Sequence, residues 1–546
     1  MAPFRAGVRA GVASAMCSYN LVNGTHACGM AASMNANLKG DLEWPGFITS
    51  DWAAVVRSNY CSFARRDQRS RARRVCAAAA ESSPTPLHTQ HTHPLSAYPS
   101  ILSPTSFHSP HLQHDDGYQN AGLDMDQPGT DGWFDPSHLT TNLTTLDDMA
   151  TRVIGALIAV DAFDHPVCVP TGKGECDHFL YEANASTPEH TALARTLAAN
   201  GAVLLKNKGG VLPLKGGQKI AVVGDACDAP YNMASLRAWN AGNYYVMGGS
   251  GRVINPASTS ILTGLKARAA SATPPATITS DVNGADVIVT CGATWSSEGN
   301  DRSTLKVDQD ADISGVVTAA VKAGTPVVVL LTAPGSLVTK SFDAAADAIV
   351  TMFLAGQVTG LAWADVLFGD VNPNGKLPVT FPVSESDVVE PCKETNCVYS
   401  EGLAVGYRAL DGKAVSFPFG HGLSYTKFAY SAVNILTNDS TADCKAAICI
   451  DVHVKNVGEV AGAEVAQLYL TYPLSASEPG SPLKGFKKTF VLAPNASEAV
   501  RFELLDEDVS VWSSVSHSFE VVRGEFIAHV GSSSRDWRVN NTFIPK

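Results

Sequence analysis

The sequence predicts an α/β chain that ends in an all-β domain, and three patterns predict it. Near the start, short apolar strands alternate with short helical stretches. In the middle, continuous apolar runs such as Val327-Val328-Val329-Leu330-Leu331 alternate with helices, the pattern of a parallel sheet covered on both faces. Toward the end, the apolar period drops to two, as in Ile448-Cys449-Ile450-Asp451-Val452-His453-Val454, the mark of half-buried antiparallel strands.

Taken in order, Pro3 to Ala10 reads as a helix, Val12 to Cys17 as a strand, Leu38 to Trp44 as a second short helix and Gly46 to Ser50 as the next strand. Residues 57–114 break the pattern. Arg57, Arg65, Arg66, Arg69, Arg71, Arg73 and Arg74 crowd one half, and the other is rich in Ser, Pro and His. With no periodicity, this segment reads as low-complexity disorder or as translated intron, and its histidines (His88, His91, His93, His108, His111, His114) as part of that bias. Leu146 to Val160 is helical, and a connector holds Cys168 and Cys176. Thr187-Pro188-Glu189 then opens a helix, with a cap residue, a first-turn proline and an early acid, that closes near Asn200-Gly201. Strands follow at Ile220 to Gly224, Val287 to Thr290, Val327 to Leu331 and Ala348 to Thr351. Ala466 to Leu470, Ser518 to Val522 and Glu525 to Val530 join Ile448 to Val454 in a β-sandwich of fibronectin type III kind. The expected fold class is therefore α/β plus all-β. Barrel-type α/β spans 1–165 (57–114 an insert), a linker and connecting helix 166–200, a doubly wound α/β sandwich domain 201–385, a connector 386–430 and the β-sandwich 431–546.

A net charge of −12 over 546 residues argues against nucleic acid or an anionic membrane as partner. No run of eighteen apolar residues predicts a membrane span. Asn-x-Ser/Thr sequons at Asn23, Asn142, Asn184, Asn438, Asn495 and Asn540 suit a secreted protein. The close pairs Cys17/Cys28, Cys168/Cys176, Cys392/Cys397 and Cys444/Cys449 suit local disulfides. Because Met1 to Arg9 lacks the apolar core of a signal peptide, the expectation is a secreted parent protein whose N-terminus precedes Met1. No pair has the CxxC spacing of a zinc site, and no metal or organic cofactor is implied.

The chemistry centres on Gly46-Phe47-Ile48-Thr49-Ser50-Asp51-Trp52, an apolar strand that ends on a carboxylate followed by an indole. An isolated Ser-Asp-Trp is otherwise a helix cap or turn. Gly248-Gly249-Ser250-Gly251 lacks the Lys-Ser/Thr ending of a phosphate loop, and Val222-Val223-Gly224-Asp225 lacks a dinucleotide fingerprint. No G-x-S-x-G elbow supports a serine hydrolase, and His421, in the turn entering the last domain, reads as a packing residue.

Six motifs in order resemble glycoside hydrolase family 3 on its β-glucosidase side. They are Met16-Cys17-Ser18-Tyr19-Asn20 with Val22-Asn23-Gly24, Gly46 to Trp52, and Ala121-Gly122-Leu123-Asp124-Met125, followed by Ser296-Ser297-Glu298-Gly299-Asn300-Asp301-Arg302, Asn372 to Pro378, and Pro418 to Tyr425. The resemblance implies Asp51 as nucleophile and Glu298 as acid/base, with Trp295, Ser296 and Ser297 partly burying Glu298 to raise its pKa. An exposed loop acid, or one paired with Arg302, is the other reading of Glu298. Met16, Tyr19, Trp52 and Ser250 correspond to sugar-binding positions, although Met16 and Tyr19 equally fit a core. The implied substrate is an oligosaccharide or β-glucoside. β-Xylosidase is the alternative within the family, disfavoured by Trp52, and a non-catalytic carbohydrate-binding or structural protein is the alternative outside it. A (β/α)8 barrel takes about 250 residues, and the barrel-like sequence, 1–56 and 115–165, is less than half of that. A partial (β/α)8-type barrel, with activity in doubt, is therefore expected.

Overall fold

The computed structural model describes residues 2–55, 116–129, 142–164, 186–230, 240–253, 258–392, 397–437 and 444–545. The 57–114 stretch, Cys168, Cys176, Asn184 and Asn438 lie outside them. The chain divides into two compact units, Met1–Glu182 and Ala183–Lys546.

In the first unit, α1 (Ala2–Arg9) leads into β1 (Ser14–Cys17), which pairs in parallel with β2 (Phe47–Ser50). The intervening helix is a wide π-type turn over Ala32–Asp41, earlier than the expected Leu38–Trp44. It ends there because Glu43 turns back at φ 50° and sends Trp44 into the core, 1% exposed, where its Nε1 donates to Val12 O at 2.7 Å. Met125 adds a third parallel position beside Thr49. The following helix, α2 (Leu143–Ala159), starts with the Asn142 side chain accepting the Thr144 N–H. Its Arg152 donates to Trp44 O (2.7 Å) and Gly46 O (3.1 Å), tying the helix to the entry of β2. Trp44, Ile48, Leu123, Met34 and the Cys17–Cys28 disulfide form the core of this unit.

The second unit starts with α3 (Pro188–Gly201), capped by Thr187 Oγ1 accepting the His190 N–H. Its sheet is built from β3 (Val203–Asn207), β4 (Lys219–Val223), β5 (Thr277–Thr279), β6 (Val287–Ala293), β7 (Val327–Thr332) and β8 (Ala348–Met352). The spatial order is β3-β8-β7-β6-β4-β5, all parallel except β3, which runs antiparallel to β8. Every residue of β6, β7 and β8 is buried. Alternate residues serve two cores. Val328 and Leu330 pack with α3, α4 (Ile261–Ala270) and α6 (Thr359–Leu367), while Val327, Val329 and Leu331 pack with α5 (Asp310–Ala323) on the other face. The backbones of α4 and α6 cross at Gly264 and Gly360, where a Cβ on either would strike the other's chain. A disulfide unforeseen in the sequence, Cys227–Cys291, joins the loop after β4 to β6. Its cysteines are 64 residues apart, and only the parallel pairing of β4 with β6 brings them together.

The C-terminal strands form two antiparallel sheets. One has β9 (Phe428–Tyr430) and β10 (Asn434–Thr437) along one edge of β11 (Ile448–Asn456), with β14 (Ser497–Leu504) along the other. The other runs β13-β12-β15-β16: Leu483–Lys488, Val465–Thr471, Phe526–Ser533 and Asp536–Phe543. Ile450, Val452, Leu468, Leu470, Phe502 and Phe526 fill the space between them. Ser518–Val521 is not a sandwich strand. It makes a separate ribbon with Ser510–Ser513, with Ser518 and Glu520 exposed, while Val521 at its end and Val522 beyond it pack against the sandwich core. A buried Lys376–Glu464 pair (2.8 Å) and the Asn372 amide, donating to Ala461 O, lock the sandwich to the α/β layers.

His421 has the packing role expected of it. Its Nε2–H donates to Leu205 O at 2.9 Å and its ring stacks on Phe417, so burial lowers its pKa, against the raising effect of the Leu205 carbonyl. The unfolded chain takes up this proton near pH 6.5, whereas folded His421 does so only at lower pH. Its contribution to stability is thus fully present above about pH 6.5 and is lost as pH falls toward the depressed value. His421→Gln is expected to flatten the loss of unfolding free energy between about pH 6.5 and 5, read from urea melts across that range. An unchanged slope contradicts the account.

Candidate active site

Both clusters of candidate residues sit at carboxyl ends of parallel strands. In the first unit, Asp51 follows β2 directly. Its backbone N–H continues the ladder by donating to Cys17 O (3.1 Å), and one carboxylate oxygen accepts the Trp52 N–H at 2.6 Å. Tyr19, just past β1, donates its hydroxyl to Trp52 O at 2.8 Å, and the Cys17–Cys28 disulfide anchors its loop. Met16, Tyr19 and Trp52 are 64%, 55% and 65% exposed, so none of the three is a core residue. The structure thus gathers a carboxylate, a phenol and an indole at one strand-end surface.

Beneath that surface lies a polar support not anticipated from the sequence. Asp124 is buried, with Lys39 Nζ on one oxygen (2.7 Å) and the Ile48 N–H on the other (2.7 Å). Burial raises the Asp124 pKa above the usual carboxylate value, against the opposing pull of Lys39 and the Ile48 N–H. Ser50 Oγ bridges Asp126 Oδ1 (3.0 Å) and the Gln127 N–H (2.7 Å), and the Ala53 N–H reaches Gln127 O. These bonds fix the turn that presents Asp51 from below. The Ala121–Met125 motif marked Asp124, but its partner Lys39 is 85 residues away in sequence and carried no such signal.

In the second unit, Glu298 sits in the loop that leaves the end of β6. Glu298 is exposed, unlike the partly buried acid expected. It is positioned by the turn before α4: the Ser250 N–H donates to Glu298 Oε2 at 2.7 Å, and Gly248 exchanges backbone bonds with Ser296 and Glu298. Ser250 therefore meets Glu298 through its backbone. Gly249 is buried at φ 99°, and a Cβ there would lie 2.8 Å from Glu298 Oε2 and closer still to its Cβ. Arg302 turns away to Ser336 O (3.0 Å), and burial lowers its pKa. Asp51 and Glu298 belong to different units. Among the described residues no cluster of His, Cys, Asp and Glu has the makings of a metal site, and no helix is long and apolar enough to cross a membrane.

Two family models match: the glycosyl hydrolase family 3 C-terminal domain over residues 202–425 and the fibronectin type III-like domain over 464–534. A probable β-glucosidase L of Emericella nidulans is 33% identical over 99% of this chain and 72% of its own length. A β-glucosidase of Pyricularia oryzae is 31% identical over 99% of this chain and 72% of its own. The crystal structure of a β-D-glucoside glucohydrolase from Trichoderma reesei superposes with a TM-score of 0.78 at 28% identity, covering 99% of this chain and 74% of that one. Fold and relatives together define a glycoside hydrolase. The chain belongs to glycoside hydrolase family 3.

Gly249→Ala is expected to destabilise the protein by about 1–3 kcal/mol through strain at positive φ and overpacking against Glu298. Urea unfolding of the variant beside the wild type measures this, and a change within error would show that the turn tolerates a side chain.

Proposed function

We propose that this protein is a retaining exo-glycosidase that removes terminal non-reducing β-D-glucosyl residues from oligosaccharides or glucosides. The observation that carries this reading is Asp51 at the carboxyl end of a parallel strand, ringed by exposed Met16, Tyr19 and Trp52. The parallel trio of β1, β2 and Met125 supports a (β/α)8-type barrel as the parent of this unit, whose strand ends are where such folds hold their active sites. Trp52 offers an apolar face to the C–H face of a pyranose, and Tyr19 a polar group to its rim.

The proposed chemistry gives two carboxyl groups different roles. Asp51, as carboxylate, attacks the anomeric carbon while the glycosidic C–O bond breaks and Glu298 donates its proton to the departing oxygen. A glucosyl ester on Asp51 results. Glu298, now a carboxylate, takes a proton from water, whose oxygen attacks the same carbon and releases glucose and the Asp51 carboxylate. The Ser250 N–H stabilises Glu298 most when it is ionised, the state it reaches after the first proton transfer. The disulfides Cys17–Cys28, Cys227–Cys291, Cys392–Cys397 and Cys444–Cys449, together with exposed sequons at Asn23, Asn495 and Asn540, support passage through a secretory route.

Turnover of aryl β-glucosides by the purified chain, faster than of aryl β-xylosides, is the expected result. Asp51→Asn is expected to abolish it. Glu298→Gln is expected to cost about a hundredfold or more with phenol as leaving group and much less with 2,4-dinitrophenol, which leaves unprotonated. A folded sample without turnover, or an Asp51→Asn variant with wild-type rates, overturns the reading.

A further inference from the structure

The loop that carries Glu298 closes on itself at its base, and one side chain from another loop secures that closure. The Asp308 N–H donates to Ala293 O (2.9 Å), and the Ala293 N–H donates to Gln309 Oε1 (2.9 Å), so the two ends of the 294–307 segment meet at the end of β6. Gln309 Nε2 in turn donates to the Tyr244 hydroxyl (2.9 Å), and that hydroxyl donates to Asp308 Oδ2 (2.9 Å). Tyr244 thus engages both residues that close the base. It belongs to the same loop as Gly248 and Ser250, which hold the tip through Ser296 and Glu298. That loop is itself braced: Asn243 Oδ1 accepts the Tyr245 and Val246 N–H groups. The loop bearing Glu298 is therefore gripped at tip and base by one short turn, with Tyr244 the link at the base.

We infer that Tyr244 is a positioning residue for the Glu298 acid/base, acting through Asp308 and Gln309, a role that rests on the assignment of Glu298 above. A phenol suits this because its oxygen accepts from one residue while its O–H donates to the other. Without it, Gln309 keeps its bond to Ala293 but loses the restraint on its amide, and the loop gains freedom at the end opposite Ser250. A general acid displaced by a fraction of an ångström loses rate in proportion to how much the leaving group needs its proton.

The test is Tyr244→Phe, with Gln309→Met as a second variant that removes the Tyr244–Gln309 bond from the other side, together with the Gln309–Ala293 bond. The kcat for phenyl β-glucoside is expected to fall about tenfold, with little change for 2,4-dinitrophenyl β-glucoside and little change in KM. Amide hydrogen exchange across residues 293–308 is expected to quicken in both variants, a readout that needs no turnover. Equal losses for both leaving groups, or unchanged exchange in this loop, overturns the role of Tyr244. If Glu298→Gln shows the leaving-group dependence and the Tyr244 and Gln309 variants do not, only this inference fails. If Glu298→Gln lacks it too, or the wild-type chain has no turnover, the acid/base assignment fails and this inference with it.

Discussion

Parallel strand pairing is the constraint on which the rest of this structure depends. Parallel neighbours present all their carboxyl ends along one edge, so residues far apart in sequence arrive side by side without contacting one another in the chain. In the first unit, the ladder of β1, β2 and Met125 puts Tyr19, Asp51 and Gln127 at successive strand ends. In the second, pairing of β4, β6 and β7 does the same for the Cys227 loop, the Glu298 loop and the Ser336 turn. That edge persists because β6, β7 and β8 are buried on both faces. Fully burying an apolar side chain of this size contributes about 1.5–3 kcal/mol, and a shift of one residue in register would swap the two cores for each other's side chains.

On this frame, each candidate catalytic carboxylate is held differently. Asp51 is carried by a strand, and the bonds that set it come from beneath: Asp124 on the Ile48 N–H and Lys39, Ser50 on Asp126 and Gln127. Glu298 is carried by a loop and is held from the side by a second loop, through Gly248, Ser250 and Tyr244. The contrast has a physical reason. A strand end inherits its position from the sheet, whereas a loop must be supplied with partners for its own backbone groups. Gly249 shows how close the second arrangement is, since no residue with a side chain fits between that turn and Glu298.

Much of the fold was legible because its signals are local. The apolar runs of β4, β6, β7 and β8 announced a buried parallel sheet, the alternation in β11 announced a half-buried antiparallel strand, and Thr187-Pro188-Glu189 announced the start of α3 within a residue. The strand β12 proved antiparallel too, but Ala466 to Leu470 are all buried because it lies inside its sheet. The failures have local causes too. Trp44 left its predicted helix because an indole gains more from the core than from continuing a turn. The strand β3, Val203–Asn207, was missed because a single antiparallel edge strand directly after a helix has no pattern of its own beyond a short apolar run.

The sequence by itself determined the family and the candidate site residues: an acid after the strand Phe47–Ser50, an indole next to it, and a second acid in a loop that follows two serines, within motifs whose order marks the family. These are statements about neighbours in the chain. Only the tertiary structure decided what supports them, namely Lys39 against Asp124 across 85 residues, Cys227 against Cys291 across 64, and Tyr244 against Asp308 and Gln309. The last two exist because strands and loops of a shared sheet bring the partners together, and the first because the helix Ala32–Asp41 between β1 and β2 carries Lys39 to Asp124. Long-range pairing of that kind leaves no periodicity in the residues themselves, so it could not have been read before the fold was known.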